Sequence, residues 1–446
     1  MTEINERRAA ALEHLEMAQR DLANVPGLPN GTKSRHVGVV GILGAGTMGT
    51  GIAMNFAAIG VPTFLVDTTD AAIQRGLASI QKTYASAVAK GKLTAREQEQ
   101  RSAAIVMATD DSVLSQCDLV IEAIFENLEI KQQVCKRLGT ICKPGAIIAS
   151  NTSTLDVNTL AQASGRPADF VGMHFFSPAH VMKLLEIVRG KSTAPDVLTT
   201  VVELASAIGK IPVISGVCYG FIGNRMAEPY VREADALLLE GADPFQIDGV
   251  AERFGMAMGP CRMLDMAGVD VAAKTVLERR KAGGLPSDTS YRAVVLRLFE
   301  LGSYGQKSGT GYYRYDGRNY LSNPDLPRLC EALAKHHGVA RRGHIEDQEV
   351  FERLFYPLIN EGARILEEGI SSRAGDIDIV WTAGYGFPKT VGGPMFLADQ
   401  IGLSVIAERL AYYAAQRGDA FSYWSPSPLL IKLAIDATRL SSVKNT

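Results

Sequence analysis

From residue 37 onward, short unbroken apolar runs alternate with longer stretches in which apolar positions recur every three or four residues. Six of the short runs predict strands: VGVVGIL (37–43), PTFLVD (62–67), AIVMA (104–108), DLVIEAI (118–124), AIIAS (146–150) and FVGMHF (170–175). Runs this continuous suit a parallel sheet buried on both faces by helices, so this part of the chain predicts an α/β unit. If KLLEIV (183–188) is a strand beside FVGMHF, the SPAHVM turn joins the two. After about residue 215 the strand signal fades and the pattern becomes helical. At the other end, residues 5–23 are rich in helix formers, with Leu12, Leu15 and Leu22 roughly on one side, and turn-rich VPGLPNGTKS follows.

The helical part repeats itself. NRMAEPYVREADALLLEG (224–241) aligns with ERLFYPLINEGARILEEG (352–369), pairing Arg225 with Arg353, Pro229 with Pro357 and Gly241 with Gly369. Ile247 and Asp248 then match Ile377 and Asp378, while Gly259, Pro260, Asp265 and Gly268 match Gly393, Pro394, Asp399 and Gly402. Asn224 stands opposite Glu352, so a polar task for Asn224 in the first copy is lost from the second, which becomes structural. The expected plan is an N-terminal helix and linker (1–36), an α/β domain (37–215) and two helical domains (216–325 and 326–446).

Composition narrows the function. A chain of 446 residues exceeds one ordinary core, and a net charge of -2 provides no basic field to attract nucleic acid or anionic lipid. Six scattered cysteines without a CxxC argue for reduced thiols and against a zinc site. No apolar run approaches the ~20 residues that cross a bilayer. The start, MTEINERRAA, is no signal peptide, and the end, SSVKNT, is no peroxisomal address; together these features predict a cytoplasmic protein.

LGAGTMGTGIA carries the first candidate chemistry. Gly44, Gly46 and Gly49 stand in GxGxxG spacing after a strand and at a helix start, with Thr47 and Met48 between the last two. The first glycine permits the turn, the second lets backbone approach a pyrophosphate, and the third lets helix and strand pack closely. The second strand ends at Asp67, placed to accept hydrogen bonds from both hydroxyls of an adenosine ribose. A carboxylate there repels a 2'-phosphate, so the loop predicts NAD rather than NADP. The second candidate is the pair His174 and Glu186. A base that takes a substrate proton must titrate near working pH, and histidine does. A carboxylate on its other ring nitrogen fixes the tautomer and stabilises the imidazolium. The two side chains meet if FVGMHF and KLLEIV are neighbours. His14, His36, His180, His336, His337 and His344 form no metal-ligand spacing. Ser153 follows a strand, at the sheet edge where ligands bind.

These motifs, with VIEAIFENLEIKQQV, ASNTSTL, GMHFFSPAHVMKLLEIV, CYGFIGNRM, SYGQKSGTGYYRY and GYGFPKTVGGPM in order from residue 37 to beyond 395, resemble the (3S)-3-hydroxyacyl-CoA dehydrogenase family. The resemblance is nearest to the dehydrogenase half of peroxisomal-type bifunctional hydratase/dehydrogenases. It implies a Rossmann-type domain followed by two repeated all-α domains, with residues 1–36 similar to the linker helix of the larger enzymes. It implies His174 as the base, Glu186 as its partner, and Ser153 and Asn224 as donors to substrate oxygens. By the same resemblance Glu126 and Lys131 lie near the nicotinamide ribose, Thr83 and Lys90 touch CoA, and Ser177, also a substrate-binding position, replaces the asparagine of shorter mitochondrial-type relatives. NAD, an acyl-CoA substrate, a separate enoyl-CoA hydratase partner and a monomer or homodimer follow as expectations. Read without the resemblance, Ser153 also fits a helix N-cap, Asn224 a turn, Glu126 and Lys131 an exposed helix pair, and Thr83 and Lys90 a solvated helix face. A relative acting on a non-CoA hydroxy acid and a non-catalytic NAD-binding scaffold are the competing functions.

Overall fold

The alternation of strands and helices builds one eight-stranded sheet. The computed structural model describes residues 2–29, 31–317 and 319–444; Met1, Asn445 and Thr446 lie outside them. In chain order the elements begin with α1 (Thr2–Asp21), β1 (Val40–Leu43), α2 (Thr47–Ala58), β2 (Thr63–Val66), α3 (Asp70–Ala89), α4 (Ala95–Ala103), β3 (Ile105–Ala108) and β4 (Leu119–Glu122). They continue with α5 (Leu128–Ile141), β5 (Ile147–Ser150), α6 (Val157–Ala163), β6 (Phe170–Phe175), β7 (Leu184–Val188), α7 (Pro195–Ala207) and β8 (Ile211–Ser215). The strand order is β3-β2-β1-β4-β5-β6-β7-β8, parallel throughout except between β6 and β7. The β6–β7 turn is too short for a crossover helix, so those strands run antiparallel.

Alternate strand residues face opposite layers. Val40, Ile42, Ile121 and Ile147 pack with Ile52 and Phe56 of α2 and Val201 of α7. Leu43, Val120 and Ile148 pack with Leu138 of α5 and Leu160 of α6. β1 starts three residues later than the pattern predicts, because Asp118 Oδ2 accepts the N–H groups of Gly38 and Val39 at 2.9 Å each. Arg35 anchors the linker to the same body, reaching Asp196 and Asp169 at 2.7 Å.

The remaining helices are α8 (Gly223–Glu240), α9 (Pro244–Phe254), α10 (Pro260–Ala267), α11 (Val269–Lys281) and α12 (Ala293–Glu300). A hairpin of β9 (Tyr313–Asp316) and β10 (Asn319–Ser322) follows, then α13 (Leu326–His337), α14 (Asp347–Glu367), α15 (Ala374–Gly384), α16 (Pro394–Ile401), α17 (Leu403–Arg417) and α18 (Pro428–Ile435). The chain divides into two compact units. One holds residues 16–223 with 368–384, so α15 groups with the sheet and its Gly384 abuts Leu184 of β7. The other holds 2–15, 224–367 and 385–443.

Several positions that the sequence aligns carry matching local features in the helical unit. α8 and α14 each carry an internal proline, Pro229 and Pro357. Asp265 accepts the N–H groups of Tyr312 and Tyr313, and its repeat mate Asp399 accepts those of Leu440 and Ser441. Gly268 (φ 105°) and Gly402 (φ 100°) each open the next helix in backbone that disfavours a side chain. The GYYRY stretch sends three tyrosine hydroxyls to three aspartates: Tyr312 to Asp235, Tyr313 to Asp248 and Tyr315 to Asp265, at 2.6–2.9 Å. Glu352, opposite Asn224 in the repeat, is tied by Arg409 and the Tyr413 hydroxyl at 2.7 Å each.

Candidate functional site

The glycine loop turns between β1 and α2. Gly44 sits at φ 109°, where an added Cβ would lie 2.6 Å from the Ala123 carbonyl oxygen. A Cβ on Gly49 would lie 1.7 Å from the Gly44 carbonyl oxygen, whereas one on Gly46 would meet nothing. The second glycine therefore faces open space, and the other two are forced by packing. Asp67, at the end of β2, accepts the Ala45 N–H at 2.8 Å through Oδ2, which fastens the carboxylate to the loop. Ala45, Gly46, Thr47, Thr50, Asp67 and Arg75 line a pocket of about 280 Å³. The helix N-terminus with its unpaired N–H groups, the bare Gly46 and the carboxylate at the far rim fit the adenosine and pyrophosphate of NAD. Thr47 is exposed at this rim, while Met48 packs against the core below. Gly49→Ala is expected to destabilise the protein by about 1–3 kcal/mol or more, since backbone must move, and to weaken NADH binding. Thermal melting and NADH fluorescence titration check this, and parental values in both would refute the packing argument.

Across the sheet, β4 and β5 end in a buried charge cluster. Glu122 is fully buried, and Lys131, 1% exposed, donates to both of its carboxylate oxygens at 2.9 and 2.7 Å. Ser150 hydroxyl donates to the same carboxylate. Burial pushes Glu122 up against the pull of Lys131. The Lys131 ammonium also lies 3.4 Å from Glu126 Oε2. Glu126 Oε1 accepts from Thr152 Oγ1 at 2.6 Å, Ser153 N–H at 2.8 Å and Ser153 Oγ at 3.3 Å. Burial raises the Glu126 carboxyl, but Lys131 and these donors together hold it below the ordinary range. Lys131 is thus no exposed partner of Glu126: it is enclosed, and it organises Glu126 and through it the Ser153 loop. Ser153 is no N-cap, since Asp156 caps α6.

β6 and β7 place His174 directly opposite Glu186 in the ladder. His174 Nδ1 lies 2.8 Å from Glu186 Oε2, and since a carboxylate accepts, Nδ1–H donates. Glu186 Oε1 accepts the backbone N–H groups of Ile222 at 3.1 Å and Gly223 at 2.9 Å. The imidazole is 6% exposed and lies between Phe176 and Phe221, with ring centroids 4.6 and 5.6 Å away. Every polar atom of Glu186 is engaged, so the imidazole orientation is held and Nε2 is left to receive a proton.

Asn224, in the first turn of α8, accepts from the Tyr385 hydroxyl at 2.7 Å through Oδ1. Thr83 donates to the Ser79 carbonyl on α3, and Lys90 is exposed at the end of that helix. Ser177 is exposed in the β6–β7 turn. Three contributors escape a reading of motifs: Glu122, Asn151 and Lys210. Asn151 Oδ1 accepts the Phe175 N–H at 2.9 Å, next to His174. Buried Lys210 donates to the carbonyls of Ala179 and Met182, pinning the turn between the two strands, and burial and then Lys183 lower it to about 8. Glu122 had a signal, an acid inside the apolar run DLVIEAI; Lys210 had none, because its partners are backbone carbonyls. Among the described residues no group of three or more His, Cys, Asp or Glu is set to hold a metal, and no helix is long and apolar enough to cross a membrane.

Comparison with known proteins places the chain in a family. Residues 39–218 match the family model described as 3-hydroxyacyl-CoA dehydrogenase, NAD binding domain, and residues 220–315 and 350–443 match its C-terminal domain. The chain is 39% identical to the peroxisomal bifunctional enzyme of Cavia porcellus, over 96% of this chain and 61% of that protein. It is 35% identical to the glyoxysomal fatty acid beta-oxidation multifunctional protein of Cucumis sativus, over 97% of this chain and 60% of that one. The chain therefore spans about three fifths of the length of these relatives. The structure of 3-hydroxybutyryl-CoA dehydrogenase from Escherichia coli K12 superposes with a TM-score of 0.78 at 28% identity, covering 90% of this chain and 99% of that one. The relatives' peroxisomal and glyoxysomal names overturn the cytoplasmic location expected from the chain ends and the cysteines. That expectation failed because terminal residues and thiols report on targeting only indirectly.

Proposed function

The chain belongs to the 3-hydroxyacyl-CoA dehydrogenase family, and from that premise we propose that it oxidises the C3 hydroxyl of a (3S)-3-hydroxyacyl-CoA to a 3-ketoacyl-CoA in acyl-CoA β-oxidation. The observation that carries this reading is the His174–Glu186 pair, opposite in register and 2.8 Å apart, in the same compact body as a glycine loop shaped for NAD.

NAD, when bound, supplies the acceptor for the C3 hydride. His174 Nε2 takes the hydroxyl proton, and Glu186 holds the imidazole in the tautomer that allows this while stabilising the imidazolium that results. In the reverse direction the same nitrogen returns the proton. Glu126, fixed by Lys131 and the Ser153 loop, orients the sugar on the nicotinamide side, so Lys131 acts on the cofactor through Glu126. Ser153 and Asn224 are proposed, on the family resemblance, as donors to substrate oxygens. Thr83, Lys90 and Ser177 keep their expected roles toward the substrate on the same ground. Residues 216–325 and 326–446 are read as duplicated halves of the helical region, the second having exchanged Asn224's counterpart for the structural Glu352. A hydratase activity, which makes a 3-hydroxyacyl thioester from an enoyl thioester, is the proposed source of substrate.

NADH formation with (3S)-3-hydroxyacyl-CoAs of graded chain length, beside their (3R) epimers and the free hydroxy acids, tests the reading. Turnover of the (3S) thioesters alone is the expected result. Failure of every CoA thioester, with turnover of a free acid, would replace the substrate assignment.

A further inference from the structure

The GFIGNR stretch holds more than Asn224. Phe221 is fully buried, yet its backbone sits at φ 52°, a left-handed conformation that is uncommon outside glycine and a genuine outlier for a bulky residue. Its N–H donates to the Cys218 carbonyl at 3.3 Å, which closes a turn after Gly220 at φ 76°. The two residues that follow it, Ile222 and Gly223, are the ones whose N–H groups converge on Glu186 Oε1. Burying an aromatic ring requires no positive φ. Neighbouring amides in extended backbone point to opposite sides, so the chain must bend for two successive N–H groups to meet one oxygen; at Asp118 it does so without a positive φ, whereas here the left-handed Phe221 immediately precedes the converging pair. Unfavourable backbone retained beside reacting groups is the pattern expected when geometry at the site repays it.

We propose that the left-handed turn at Phe221 is a positioning device for the catalytic pair: it aims the Ile222 and Gly223 N–H groups at Glu186 and thereby sets the carboxylate that holds His174. Phe221 is a positioning residue, and this role rests on the dehydrogenase reading above. The turn anchors one carboxylate oxygen so that the other meets Nδ1, and the Phe221 ring supplies an apolar wall 5.6 Å from the imidazole.

The test opposes two variants that both remove the ring. Phe221→Val keeps more apolar bulk but resists a positive φ, while Phe221→Gly has no bulk and adopts it freely. A mere packing role ranks Val above Gly in activity; the positioning role ranks Gly above Val. We expect kcat for Gly to exceed that for Val by about tenfold to hundredfold, the scale for small misplacements of a catalytic group. The NADH dissociation constant should stay unchanged in both. A second readout needs no turnover: the His174 Nδ1–H proton resonance, in protein with nitrogen-labelled histidine, should persist in Gly and vanish in Val. Val as active as Gly, or the resonance kept in Val, overturns the proposal. Should Val not fold, Phe221→Asn against Phe221→Leu poses the same opposition, since Asn tolerates the turn and Leu keeps the bulk. An inactive parent would count against the dehydrogenase reading, while the resonance would still decide the role of the turn.

Discussion

Replacing His174 with alanine is expected to lower kcat for 3-ketoacyl-CoA-dependent NADH oxidation by about 10²–10⁴, the usual contribution of a positioned general acid or base. KM for the thioester and the NADH dissociation constant should move by only a few fold. The split follows from the geometry: the imidazole is bonded to Glu186, is almost enclosed by Phe176 and Phe221, and is not among the residues lining the pocket beside the glycine loop. Glu186→Gln should cost less than losing His174 but remain severe. Its amide must present N–H either to His174 Nδ1–H or to the Ile222 and Gly223 N–H groups, setting donor against donor on one side. Steady-state kinetics and NADH titration check both variants. A His174→Ala enzyme that keeps most of the parent's kcat would mean that another group moves the proton.

Arg353→Met is expected to cost the helical unit about 3–5 kcal/mol, the scale for removing one partner of a buried ion pair. Arg353 is fully buried and bridges the two repeat copies, from α14 to α8. It reaches Glu233 Oε2 at 3.0 Å and both Glu240 oxygens at 2.8 and 2.9 Å. Without it Glu233, 3% exposed, is left with Arg232 at 3.1 Å and the more distant Arg417 at 3.9 Å against the penalty of burial. Glu240 makes the effect depend on pH. Burial raises its carboxyl, but Arg353 and then Arg417 outweigh that and hold it down to about 2, against 4.5 ordinarily. A carboxyl lowered in the fold contributes stability above 4.5 that is lost as pH falls toward 2. Here that contribution is on the order of 3 kcal/mol at 1.4 kcal/mol per pH unit. The Met variant should therefore unfold at a lower urea concentration at neutral pH, and its deficit should shrink as acid removes the parent's advantage. Identical urea midpoints for the two proteins at pH 7 would show that the network contributes nothing net.

Much of the site was legible in the chain because its signals are local. The GxGxxG spacing needs only a strand, a turn and a helix start, and Asp67 falls where β2 runs out. His174 and Glu186 could be paired from their twelve-residue spacing, since a short turn between two strands forces them into register. β8 was not foreseen. Its run IPVIS is short and contains Pro212, which breaks a ladder except at an edge, and β8 is the last strand of the sheet. The β9–β10 hairpin was missed for a related reason: its strands are polar and tyrosine-rich, and the tyrosines find their aspartates only in the folded helical unit. Residues 368–384 read as part of the second repeat, yet they group with the sheet.

By itself, then, the amino-acid order determined the doubly covered sheet and the glycine loop, which rest on periodicity or spacing that neighbouring residues impose on one another, while the roles proposed for His174 and Glu186 came from the family resemblance. Tertiary structure alone decided that Lys131 is enclosed by Glu122 and Glu126, that Lys210 pins a turn through two carbonyls, and that a left-handed Phe221 precedes the two N–H groups that meet Glu186. These depend on which distant groups share a desolvated space. In that space a charge or an N–H must find a partner, and the partner is chosen by the packing of whole elements rather than by any pattern along the chain.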